Sequence, residues 1–266
     1  MRTVLIDQPT PEICRITLNR PERLNAMDRT LVDDLHDAFD TIQADSTCRV
    51  VLLTGAGRGF CAGLDIKGGG LVADEGLGRV QGGMRWQQRI ASLITKMRGL
   101  SQPIIAAVNG AASGGGLALA LASDIRIASP KAKFNVAFVK IGLSGCDVGV
   151  SYLLPRLIGA SRAFELMLTG RMVQAEEAEK IGLVSRIVPE EELLDSALET
   201  ASLITANSPF GVWMTKEVMW SNLEVSSLHA AIDMENRTQI LSAQTADMVE
   251  ALRSFTEKRP PKFENR

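Results

Sequence analysis

Histidine is scarce in this chain, and neither sign of charge is in excess. Only His36 and His229 occur among 266 residues, and 29 basic residues face 31 acidic ones for a formal net charge of −2. Without a basic surplus the chain is not a general nucleic-acid binder, which needs a cationic face for phosphates. The four cysteines, Cys14, Cys48, Cys61 and Cys146, are scattered, with no Cys-x-x-Cys pair and no histidine beside them. That excludes the usual zinc spacings. Long apolar runs are missing as well: LALALA at 117–122 is closed in by GGG and SD and cannot span a bilayer. The N-terminus, MRTVLIDQPTPE, turns polar too early for a secretory signal. These absences predict a cytoplasmic protein with reduced thiols, no metal site, and no membrane or nucleic-acid partner.

What the chain has is apolar residues, 45% of the total, as a well-packed protein needs. Its length of 266 residues is enough for one large domain with an appendage or for two small domains. Residues 3–6 and 13–18 flank the turn signal QPTPE and predict a β-hairpin. From Asp28, a helix cap by type, Leu31, Leu35, Ala38, Phe39 and Ile42 recur at helical spacing. Short apolar runs at 50–54 and 104–108 end in glycine as buried strands do, and 125–128 and 183–188 read as further strands. Helical patterns between them make the class α/β. Residues 65–95 break the rhythm with GGG, GLG and GG and predict a lid or pocket wall. After Pro189 three helices are expected, near 190–206, 210–221 and 228–257. The division is a core over 1–205 and a helical region over 206–266.

Two glycine-bearing segments each follow a strand: GAGRGFCAGLDIK at 55–67 and NGAASGGG at 109–116. Gly55-x-Gly57 invites a dinucleotide reading, but the third glycine comes too early and no matching helix and acidic partner follow. No phosphate-binding Gly-Lys-Ser/Thr occurs. Taken singly, each segment is a tight turn at a strand end. Together with RPERLNAM, PIIAAVNGAASGGG, SDIRIAS and FTEKRPPKF, in this order and spacing, they make the chain resemble the crotonase superfamily, the enoyl-CoA hydratase/isomerase family. The resemblance runs from about Val4 to Phe263. It implies a crotonase-like spiral of β-β-α units followed by C-terminal helices that assemble trimers or hexamers.

The resemblance also implies a substrate, an acyl-CoA thioester, with no cofactor beyond the coenzyme A it carries. Its carbonyl would sit between the backbone N–H groups of Leu64 and Gly115. Donors fixed in advance are what an enolate or tetrahedral oxyanion needs, and losing one costs about 3–4 kcal/mol of barrier. The helix opening at Gly115 would add its dipole. Arg23, Arg58 and Lys67 flank the family's CoA loops, with Ala62, Asp65 and Ile66 on the same loop. Lys258 and Phe263 match a tail that reaches CoA, often on a neighbouring subunit. Each basic residue also reads as a solvated surface charge, Asp65 as a tie for its loop, and Cys61 as a small filler.

Hydratases of the family carry two glutamates, and the resemblance places Ala118 and Phe138 at those positions. Neither moves a proton. On LSGCDVGVSYLLPR, residues 143–156, other members carry an acid that aligns with Cys146; Asp147 lies one residue on. Asp147 reads equally as a base and as a cap for the helix from Gly149. Asp74 and Glu75 are weaker candidates. Three functions stay open: a hydratase/isomerase-type enzyme with isomerisation favoured, a decarboxylase or thioesterase on the same hole, and a non-catalytic acyl-CoA-binding protein.

Overall fold

The computed structural model describes residues 2–67 and 76–266. β1 (Val4–Thr10) and β2 (Ile13–Leu18) form the expected antiparallel hairpin, with β1 reaching further, through Pro9. Proline is tolerated there because β1 is the edge strand. α1 (Arg29–Ala44) starts where the sequence predicts: the Asp28 carboxylate accepts the Leu31 N–H at 2.9 Å. Leu31, Leu35, Phe39 and Ile42 are buried along one face. Each such side chain is worth roughly 1.5–3 kcal/mol of burial.

β3 (Val50–Gly55), β4 (Gly59–Cys61) and α2 (Arg79–Gly99) make a first β-β-α unit. The second is β5 (Ile104–Val108), β6 (Ala111–Ser113) and α3 (Gly115–Ala122). The third is β7 (Ile125–Ala128), β8 (Lys133–Asn135) and α4 (Val150–Ile158). α5 (Ala160–Thr169), β9 (Val173–Gln174), α6 (Ala175–Lys180) and β10 (Arg186–Ile187) follow. First strands enter a six-stranded sheet, order β1-β2-β3-β5-β7-β10; second strands enter a four-stranded sheet, order β4-β6-β8-β9. Each unit advances both sheets by one strand, which is the spiral the resemblance implies. β3 and β5 are wholly buried, as continuous apolar runs in a parallel sheet should be.

Two expectations, the 183–188 strand and the number of C-terminal helices, needed revision. Of the strand expected over 183–188, only Arg186–Ile187 pairs, while Leu183 and Val184 are buried in the core. The glycine-broken stretch 65–95 is mostly helix from Arg79 on. There Trp86, Ile90, Leu93, Ile94 and Met97 are buried at helical spacing, and their burial outweighs about 1 kcal/mol for each of Gly82 and Gly83. Asp74 and Glu75 lie outside the described residues.

The C-terminal region has four helices rather than three. α7 (Leu193–Thr205) packs Leu193, Ala197 and Ala201 onto the sheet face formed by Ile13, Val50, Leu52, Ile105 and Ile127. α8 (Pro209–Asn222) is followed by α9 (Leu228–Ala243) and α10 (Ala246–Glu257), because Thr245 breaks the long helix by capping the Met248 N–H. α9 buries none of its residues.

Candidate active site

The two glycine segments meet at the start of α3. That helix, GGLALALA, is buried along its whole length, which suits its even apolar surface. No side chain caps it, and the first intrahelical bond runs from the Ala118 N–H to the Gly114 oxygen at 3.0 Å. The N–H groups of Gly115, Gly116 and Leu117 therefore have no acceptor within the helix. Gly114 holds φ +50°, where other residues are strained, and a Cβ there would meet the Phe138 ring at 3.3 Å. A Cβ on Gly116 would lie 2.0 Å from the Cys61 carbonyl oxygen, so only glycine lets α3 pack against β4.

The 59–67 loop is stitched to the segment before α1. The Met27 N–H donates to Gly63 O at 2.7 Å, and the Asp65 N–H donates to Met27 O at 2.8 Å. Leu64 sits between these bonds in a short parallel bridge, so its own N–H faces away from Met27. A Cβ on the neighbouring Gly63 would be 3.5 Å from the Gly115 nitrogen, which puts the loop against the mouth of α3. Asp65 is buried and ion-paired with Arg20 at 3.0 Å; the same guanidinium also pairs with Asp28 at 3.0 Å and donates to Ala26 O. The loop-tying role read for Asp65 thus has a partner.

Cys61 is fully buried, and burial pushes its thiol up to about 12, consistent with filler rather than nucleophile. Ala118 is fully buried and Phe138 nearly so.

Asp147 sits on the turn before α4, half-buried. Gln87 of α2 donates from Nε2 to its Oδ1, and the Val148 N–H donates to the same oxygen at 2.7 Å. The helix-cap reading fails: α4 is capped by Gly149, with no side-chain bond. The turn is strained, since Val148, β-branched and buried, holds φ +39°. Such a conformation costs about 1–3 kcal/mol and clusters where geometry is being held for use.

A sequence model of the enoyl-CoA hydratase/isomerase family matches residues 9–266. The chain belongs to that family. A protein described as a probable enoyl-CoA hydratase of Mycobacterium tuberculosis is 48% identical over 98% of this chain and 92% of its own length. The crystal structure of a probable enoyl-CoA hydratase/isomerase from Mycobacterium abscessus superposes with a TM-score of 0.92 at 42% identity, covering 99% of both chains. A monofunctional enoyl CoA isomerase from M. smegmatis is 45% identical, with a TM-score of 0.74 over 87% of this chain and 99% of its own. The fold is the crotonase fold, and the protein is an enzyme of the hydratase/isomerase family.

Within this family enzyme the remaining candidates divide. The turn carrying Arg23 packs on the turn carrying Arg58, since Leu24 lies against Gly59 and Pro21 against Gly57. Arg23, Arg58, Ile66 and Lys67 are exposed, and Ala62 donates its N–H to Leu24 O at 2.9 Å. None of the three basic side chains is ion-paired among the described residues. Lys258 caps α10 in a left-handed conformation, and the tail bearing Phe263 folds back so that Glu264 and Asn265 donate N–H groups to the buried Asp247. No hydrogen bond or ion pair among the described residues joins Lys258 or Phe263 to the 55–67 loop.

Sequence reading missed the residues that lock these loops. Asn25, at φ +55° and fully buried, accepts the Arg20 N–H and donates to Ala56 O and Gly59 O at 3.0 and 2.8 Å. Asn109 donates to Gly55 O and Gly57 O at 2.9 and 2.8 Å. Both asparagines stand inside quoted motifs; Asn109, directly before Gly110, carries the turn signal that could have found it, whereas the sequence around Asn25 carries none.

Proposed function

We propose that this enzyme shifts a carbon–carbon double bond in an acyl-CoA, with Asp147 as the single base and the N–H groups of Leu64 and Gly115 as the oxyanion hole. The observation that carries the reading is the Asp147 carboxylate: it is fixed through Oδ1, while Oδ2 has no partner among the described residues. Asp147 removes a proton from C2 of a 3-enoyl-CoA. The charge moves onto the thioester oxygen, where two preorganised main-chain donors stabilise it as a dienolate. The same carboxyl group then returns the proton to C4, giving the 2-enoyl-CoA. Hydration needs a second group to orient and activate water, and the positions at which the family's hydratases carry glutamate are here Ala118 and Phe138. Overall likeness does not make the choice, since the chain is 48% identical to a probable enoyl-CoA hydratase and 45% identical to an enoyl CoA isomerase; the residues at 118, 138 and 147 carry it.

Arg23, Arg58 and Lys67, with Ala62, Asp65 and Ile66, form the wall along which CoA lies. Lys258 and Phe263 reach a neighbouring subunit's CoA. Residues 1–205 make the catalytic core, and 206–266 assemble a homotrimer or a dimer of trimers. Leu228, Ile240, Leu252 and Phe255, exposed on α9 and α10, are the apolar surface such an assembly would cover.

The test is conversion of a 3-enoyl-CoA to its 2-enoyl isomer. Asp147→Asn should lose 10²–10⁴-fold in kcat, about what a positioned base contributes, while still binding acyl-CoA. Unchanged turnover removes Asp147 from the chemistry. Release of free CoA or carbon dioxide points instead to hydrolysis or decarboxylation on the same hole.

A further inference from the structure

Asp147 is held by a side chain sixty positions away in sequence. Gln87 reaches it from α2, and its amide shares Oδ1 with the Val148 N–H. A carboxylate turns about a broad, two-fold torsion, so one local bond from the next residue leaves its plane loosely set. A second donor from a different element fixes that plane and leaves Oδ2 with its lone pairs open. α2 is suited to hold this geometry. Trp86, Ile90, Leu93, Ile94 and Met97 anchor it in the core. Gln87 and Ile94, seven residues apart, lie on one stripe of the helix. Ile94 Cγ2 stands 3.4 Å from where a Cβ on Gly149 would be, so the stripe lies beside the 147–149 turn, with Gln87 making the polar contact.

We propose that Gln87 is the positioning residue for the base, orienting the Asp147 carboxylate so that Oδ2 addresses the substrate's α-proton. The proposal rests on the reading of Asp147 as base. Gln87 touches no reacting atom; it acts through Asp147.

A double-mutant cycle on the full-length enzyme tests it, with a 3-enoyl-CoA as probe and kcat, KM and thermal midpoint read for every variant. Gln87→Leu removes the donor. Gln87→Glu keeps the size, so packing is retained, but offers a carboxylate to a carboxylate. We expect Gln87→Leu to lower kcat about tenfold, the scale of one hydrogen bond to a charged group, with KM within twofold. Gln87→Glu should lose at least as much. In an Asp147→Asn background neither change should lower kcat further, because the group they orient has gone. Equal losses in both backgrounds, or wild-type kcat in the Gln87 variants while Asp147→Asn is inactive, would overturn the proposal and leave the base intact. An Asp147→Asn enzyme as active as wild type overturns the base itself, whatever Gln87 does.

Discussion

Around Gly115 the backbone has no room to move, whereas around Asp147 a strained turn is held by two hydrogen bonds. A Cβ on Gly116 would collide with the Cys61 carbonyl and one on Gly63 would lie 2.7 Å from the Ser113 carbonyl, and the loop between is pinned by Arg20, Asn25 and Met27. The carboxylate depends on Gln87 from another helix and on a valine in a conformation valine avoids. The proposed main-chain half of the site is thus set by steric exclusion, which most side-chain changes elsewhere leave in place. The proposed acid half is set by a few polar contacts and is the half that sequence change can retune.

The largest effect should come from breaking the rigid half. Gly115→Pro removes one donor at the first helical position, but its ring would meet Met27 Cε, 2.1 Å from the Gly115 Cβ position. It is therefore made in a Met27→Ala background, which opens the room and serves as the reference. We expect at least a 100-fold loss of kcat/KM, with helix content by circular dichroism preserved. Retained activity would mean that Gly115 donates nothing. Next comes Arg20→Met, which takes the cation from Asp65 and Asp28 together. Removing one partner of a buried ion pair costs about 3–5 kcal/mol, a fall of roughly 10 °C in thermal midpoint for a chain of this size. Activity should fall along with it, because the Leu64 loop loses its tie; an unchanged midpoint would show that Asn25 and Met27 hold the loop without Arg20.

Thiol chemistry separates the halves without mutation. Burial holds the Cys61 thiol up at about 12, whereas Cys146 is exposed beside Asp147. At pH 8 an alkylating reagent should modify Cys146 in the native enzyme and spare Cys61 until denaturant is added, as peptide mass mapping would show. Labelling of Cys61 at the native rate would contradict the rigid packing of β4 on α3.

The same contrast explains what could be read from sequence. GGG and CAGLD are legible because steric exclusion demands glycine or small residues at consecutive positions, and contiguous demands leave contiguous motifs. Asp147 was legible as a carboxylate, but its holder was not, because Gln87 is an ordinary helix residue that matters only through a contact sixty positions away. The helix bearing it was obscured too: Gly82 and Gly83 read as a break, while the buried stripe from Trp86 to Met97 decided the structure. Asn25 and Arg20 stood in plain view within RPERLNAM, yet their work is to bond backbone oxygens and carboxylates on another loop, which local pattern does not reveal.

The smallest expected effect is the most specific to the acid half. Val148 is buried and sits at φ +39°. Replacing it with alanine removes the packing and keeps the strain. Replacing it with glycine removes the same packing and one methyl more, but also removes the conformational penalty. At an ordinary buried position glycine is the less stable of the two. Here the order should reverse, with Val148→Gly about 1 kcal/mol more stable than Val148→Ala by denaturant unfolding. Relief of the turn also frees the carboxylate, so the glycine variant should be the slower enzyme, by a few-fold in kcat. Stability and rate moving in opposite directions would tie the strained valine to the placement of Asp147, and alanine more stable than glycine would remove the strain from the account.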